Sequence, residues 1–180
     1  MIITVASGKG GTGKTTVAVA LAQALAPDRP ADAPLLFLDC DVEEPNAHLY
    51  LRPQWMQREE VGVLAPEIDM AKCTLCGRCA EVCAYHALAV VGNKVLIFPE
   101  LCHGCGSCML NCPEGAIREV TRVTGVIEEG VVEGIRFAHG VMNVGEAMGV
   151  PIIRQLKARL TGQPGELAIL DAPPGTACPV

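Results

Sequence analysis

Ten cysteines lie among 180 residues, and eight of them fall into two matched runs. Cys73, Cys76, Cys79 and Cys83 recur as Cys102, Cys105, Cys108 and Cys112, each 29 residues later. Both runs read C-x2-C-x2-C-x3-C, and Pro113 follows the second. Three thiolates on tight turns can wrap one face of a polynuclear iron–sulfur group. The fourth corner is then met from elsewhere. Gly77, Gly104 and Gly106 let the backbone come close to such a group. Structural zinc favours paired C-x2-C units instead. Disulfides need an oxidising compartment. Four matched offsets mark a duplicated unit.

A second constellation binds phosphate. Gly8-Lys9-Gly10-Gly11-Thr12-Gly13-Lys14-Thr15 satisfies G-x-x-x-x-G-K-[ST], with Thr16 directly after it. Such a loop turns its amides toward phosphate at the positive end of a helix. Lys14 is expected to reach the β and γ phosphates of ATP, and the Thr15 hydroxyl to ligate Mg²⁺. Asp39 and Asp41 follow the next apolar run, and Asp171-Ala172-Pro173-Pro174-Gly175 follows a later one. Carboxylates at strand C-termini face the ligand crevice of an open α/β sheet.

These residues need elements to hold them. Ile2–Ala6 reads as a buried strand, Lys14–Ala26 as a helix ended by Pro27, and Leu35–Leu38 as a second strand. Strand, helix, strand implies a parallel sheet. From Pro45 to about Val61 the pattern suggests a short helix and a connector. Val120–Phe137 suggests a strand pair, Ala138–Gly149 a loop or helix start, Ile152–Leu160 a helix and Leu167–Leu170 a strand. The expected fold class is an α/β, doubly wound, mainly parallel sheet interrupted by an α+β insert. The expected segments are 1–60, 61–120 and 121–180.

Composition narrows the function classes. Half the residues are hydrophobic and 19% are charged, which argues against disorder. A net charge of −6 lacks the basic footprint of a nucleic-acid binder. No apolar run is long enough to span a bilayer, and no secretory signal opens the chain. A cytoplasmic location is expected.

Two resemblances follow. Residues 61–120 resemble the bacterial two-cluster ferredoxins, in which the fourth cysteine of each run ligates the other cluster. That resemblance implies two [4Fe–4S] clusters, one on Cys73, Cys76, Cys79 and Cys112, the other on Cys102, Cys105, Cys108 and Cys83. Ala84 departs from the proline usual at its position. The Lys9–Thr15 stretch resembles the deviant Walker A loop of the MinD/ParA ATPases, a group that includes nitrogenase iron protein and the Mrp-type iron–sulfur carriers. By that resemblance Lys9 reaches a partner's phosphates across a homodimer, and Asp39 supports the Mg²⁺ shell. Asp41 orients the attacking water, Asp171 holds a Mg²⁺-bound water, and the Gly175 amide senses the γ-phosphate. Nearly the whole chain is similar to MinD-type ATPases carrying an inserted ferredoxin domain. Those ATPases continue past Asp171 for longer than this chain does, which suggests a truncated sequence.

The implied activity is ATP hydrolysis in a dimer, coupled to low-potential electron transfer with an unidentified redox partner. A cluster carrier of the Mrp type is the alternative. A nucleotide-sensing ferredoxin and a partitioning ATPase fit less well. Cys40 and Cys178 read as structural, although Cys178 stands at a spacing like that of the bridging-cluster cysteine in nitrogenase iron protein. His48, His86, His103 and His139 read as solvated.

Overall fold

The computed structural model describes residues 1–175. The chain runs β1 (Ile2–Val5), α1 (Lys14–Leu25), β2 (Leu35–Asp39), α2 (Ala47–Leu51), β3 (Gln54–Ile68) and α3 (Arg78–Glu81). It continues β4 (Leu88–Val91), β5 (Lys94–Ile97), α4 (Ser107–Leu110), β6 (Ile117–Val132), β7 (Ile135–Met142), α5 (Val150–Lys157) and β8 (Ala168–Asp171). It divides into two units. One takes Met1–Val61, Thr124–Val144 and the chain from Met148 onward; the other takes Gly62–Val123 and Gly145–Ala147.

A six-stranded sheet in the order β1-β8-β2-β7-β6-β3 organises the first unit. β1, β8, β2 and β7 are parallel neighbours, and β6 turns antiparallel to β7. Every residue of β2 is buried, which is what a strand covered on both faces requires. Leu35 and Phe37 pack with α1 and α2, while Leu36 and Leu38 pack with α5. Helices thus cover both faces, as a doubly wound sheet demands. Ala18 and Ala22 carry the sheet-facing side of α1, and their small size brings the helix close. Phe37 stacks on Phe137 with centroids 5.7 Å apart. Each such fully buried ring contributes roughly 1.5–3 kcal/mol of transfer free energy.

Two expectations need correcting here. The segment from Pro45 to Val61 is not only a helix and connector, because β3 begins at Gln54. β3 is the edge strand, and Gln54–Arg58 are exposed, so no alternation marks them. Nor is Ala138–Gly149 all loop, since β7 continues to Met142. Its Gly140 reflects close packing. A Cβ there would lie 2.4 Å from Ile152 Cγ2 and 2.8 Å from Val42 Cγ1.

His139 and His48 are also not solvated. His139 is 3% exposed and pairs across the strands with Glu128, its Nε2 2.9 Å from Oε2. The His48 ring meets it edge-on at 5.1 Å. Both Nδ1 atoms are buried without a hydrogen-bond partner. Burial pushes the His139 pKa down, against an upward pull from Glu128. An unfolded histidine takes its proton near pH 6.5, and the folded one resists it. Stability from this group is therefore present at neutral pH and lost as pH falls. We expect thermal unfolding to shift to lower temperature between pH 7 and pH 5, and His139→Gln to flatten that dependence. An unchanged slope in the variant would refute the assignment.

The second unit repeats itself. Left-handed backbone occurs at Leu75 (φ 59°), Gly77 (79°) and His86 (52°), and again at Gly104 (63°), Gly106 (74°) and Gly115 (57°). Each pair is 29 residues apart. Gly77 caps α3 and Gly106 caps α4, so each helix starts at the same turn of its run. β4 and β5 form an antiparallel hairpin. The core of this unit is built around Cys79, Cys83, Cys102 and Cys108, with Leu88 and Ile117.

Candidate functional site

The Gly8–Thr15 loop joins β1 to α1 in the first unit. Gly11 and Gly13 adopt φ of 71° and 85°, which only glycine takes without strain. Nothing lies within 4 Å of a Cβ built on Gly8, Gly10, Gly11 or Gly13, so the loop's inner face is open. Ser7 Oγ donates to the Lys9 carbonyl at 2.8 Å and contacts Thr12 Oγ1 at 2.7 Å, which stiffens the loop. The Lys9 side chain is exposed.

Gly10, Gly11, Gly13, Lys14, Thr15 and Thr16 line one wall of a pocket of about 810 Å³ of empty space. Asp41, Glu44, Asn46, Tyr50 and Pro174 line the rest. The volume is within the range of nucleotide-sized clefts. Sequence reasoning did not find Tyr50. It sits on α2, and nothing in its local pattern signals that this helix turns toward the loop.

Parallel register sets Asp39 beside Asp171. Their roles differ. Asp39 accepts from the amides of Asp41 (3.1 Å), Asn46 (3.1 Å) and Ala47 (3.0 Å), so it shapes the loop that presents Asp41. Burial, helped by Asp171, pushes its pKa up to about 7. The expectation that Asp39 supports the Mg²⁺ shell is corrected accordingly, because both of its oxygens are committed to the backbone. Asp171 is 1% exposed and neither oxygen has a hydrogen-bond partner. Burial raises its pKa, while the Thr15 hydroxyl and the Lys14 ammonium pull the other way. An orphaned buried carboxylate facing a hydroxyl is a fitting donor set for a hard, oxygen-seeking cation such as Mg²⁺. Asp41 also has a raised pKa through burial, countered by the Glu44 amide and Lys14. The Gly175 amide donates to the Ser7 carbonyl at 3.2 Å rather than standing free.

Two further pockets lie in the second unit. Cys73, Cys76, Cys79 and Cys112 line one, of about 360 Å³. Cys83, Cys102, Cys105 and Cys108 line the other, of about 350 Å³. The fourth cysteine of each run thus stands with the three of the other run. The Ala87 amide donates to Cys83 Sγ at 3.2 Å, and the Ala116 amide to Cys112 Sγ at 3.3 Å. These bonds too are 29 residues apart. Among the described residues, no three His, Cys, Asp or Glu converge on one metal ion. The thiols surround each pocket instead. Such an arrangement suits a group of several atoms better than a single zinc.

The environment of the thiols differs from place to place. Burial raises the pKa of Cys79 and of Cys108. Cys105 is pulled down, chiefly by the Ser107 amide and then by its hydroxyl. His103 stacks on Tyr85 with centroids 3.6 Å apart, rather than standing alone in solvent. Cys40 is fully buried next to Asp39, and burial pushes its thiol up to about 12, so it is unreactive. Cys178 lies outside the described residues. No helix among the described residues is long and apolar enough to cross a membrane.

Comparison with known proteins places this geometry. Two uncharacterized proteins of Methanocaldococcus jannaschii, MJ0578 and MJ0579, are 35% and 30% identical to it. Both alignments cover all of this chain, which spans 62% and 64% of those relatives. A stretch of 51 residues is 39% identical to indolepyruvate oxidoreductase subunit IorA of Methanothermobacter marburgensis, covering 28% of this chain and 8% of that protein. Residues 3–156 match the CobQ/CobB/MinD/ParA nucleotide binding domain. The chain belongs to the CobQ/CobB/MinD/ParA nucleotide-binding family.

Proposed function

We propose that this chain is an ATP-hydrolysing iron–sulfur protein. In this reading a homodimer's nucleotide sites drive low-potential electron transfer through two [4Fe–4S] clusters in an inserted, ferredoxin-like unit. One observation carries the proposal. A chain of this nucleotide-binding family also holds eight cysteines sorted crosswise, four to each of two pockets. The clusters would supply one-electron chemistry at low potential. Cys73, Cys76, Cys79 and Cys112 would hold one, and Cys83, Cys102, Cys105 and Cys108 the other.

The residues of the first unit divide the work of hydrolysis. Lys14 and the loop amides bind the phosphates, and Lys9 completes the partner's site. Thr15 and Asp171 hold Mg²⁺. Asp41 orients water for in-line attack, and the amide bonds to Asp39 keep Asp41 in place. The bond from the Gly175 amide to Ser7 would have to exchange for a phosphate oxygen when ATP binds. Such an exchange is a local event that can shift a two-state loop.

The test is ATP hydrolysis by anaerobically prepared protein, first oxidised and then reduced. A rate that changes with redox state supports coupled electron transfer. A rate indifferent to redox state, with clusters that pass intact to an apo-ferredoxin, would favour the carrier reading.

A further inference from the structure

The two cysteine pockets come from a duplication, so residues 29 apart report how each copy has diverged. Val90 lines the first pocket, and its counterpart Glu119 lines the second. Arg78 and Glu114 line the first, and their counterparts Ser107 and Tyr85 line the second. The first pocket therefore has one cation and one anion at its wall. The second has a lone carboxylate.

On the reading that these pockets hold clusters, we infer that Glu119 makes the cluster on Cys83, Cys102, Cys105 and Cys108 the lower-potential of the two. Reduction adds one electron and forms no bond, so a fixed negative charge at the wall opposes it directly. Arg78 and Glu114 are exposed, and Arg78 is already paired with Glu81 at 2.8 Å. Solvent and salt screen both. Glu119 is half-buried, and among the described residues no Lys, Arg or His lies within ion-pair distance of it. Its Oε1 would lie 3.3 Å from a Cβ built on Gly106, beside the α4 turn that carries Cys105 and Cys108. Its charge also bears on the Cys105 thiol, raising its pKa. The opposing influence is Ser107, whose amide and hydroxyl favour charge on Cys105. A hydroxyl dipole falls off faster with distance than a full charge, so Glu119 prevails over the cluster as a whole.

The experiment is a redox titration of the holoprotein followed by electron paramagnetic resonance. The wild type should give two separate one-electron transitions. Cys112→Ser, which leaves only the second pocket's cluster, should retain the lower one. Glu119→Gln should raise the lower transition and leave the upper in place, and Val90→Glu should lower the upper one. The inference is overturned if Glu119→Gln moves the upper transition or neither, or if Cys112→Ser retains the upper. Protein with neither iron nor a resonance signal would instead sink the cluster reading under the proposed function. That result is distinct from clusters whose potentials ignore residue 119.

Discussion

Lys14→Ala should lower ATP hydrolysis by about 10²–10³-fold while leaving thermal stability close to wild type. The magnitude is that of removing one preorganised charge-stabilising donor from a transition state. Lys14 stands at the first position of α1, directly after the left-handed Gly13. Its ammonium acts on both Asp41 and Asp171, lowering the pKa of each. Without it, three acidic groups would face the incoming phosphates without an internal cation, counting Asp39 beside Asp171. Nucleotide affinity should therefore fall along with turnover. The side chain is only half-buried and carries no packing of the core, so the fold should tolerate its loss. Steady-state hydrolysis and a melting curve on the same preparation decide the matter. Full activity in the variant would remove Lys14 from the chemistry and leave the loop a phosphate-free turn.

Cysteine substitutions should behave as two sets that cut across the two sequence runs. Wild type should hold about eight iron per chain, as two cubane sites require. Cys112→Ser should halve that figure. Adding Cys73→Ser should cost nothing more, because both residues line the same pocket. Adding Cys102→Ser instead should remove the remaining iron, because Cys102 lines the other. A structure in which each run served its own group would give the reverse pattern: Cys102 and Cys112 would be redundant, and Cys73 and Cys112 additive. Iron analysis of the two double variants separates the two wirings. Burial of Cys79, Cys83, Cys102 and Cys108 in the core of this unit adds a second effect. Loss of the group from either pocket should also reduce thermal stability.

What the sequence revealed and what it hid follow a physical division. The phosphate loop was legible because its constraints are local: glycines where φ is positive, lysine and threonine where a helix begins. β2 and β8 were legible because strands buried on both faces are continuous apolar runs. The cysteine spacing was legible through its period. β3 was not, because an edge strand exposed from Gln54 to Arg58 has no hydrophobic signature. The burial of His139 was hidden for a different reason. It depends on pairing with Glu128 across a hairpin and on the approach of His48 from another helix. Asp39 looked like a cation ligand by position, yet its oxygens are taken by amides as far along the chain as Ala47. Glu119 was within reach of the 29-residue period, had that period been followed past the last cysteine.

The left-handed backbone positions of the second unit hold a record of descent. At Gly77 and Gly106 the two copies agree in both residue and conformation. At Leu75 against Gly104, and at His86 against Gly115, the side chains have parted while φ has stayed within a few degrees. A leucine or histidine is strained at such φ by roughly 1–2 kcal/mol. Drift alone would have relaxed those turns once glycine was gone. The ancestral half-unit was therefore under selection for the path of its main chain around the thiols. Since the duplication, side chains have been free to specialise only insofar as that path was kept.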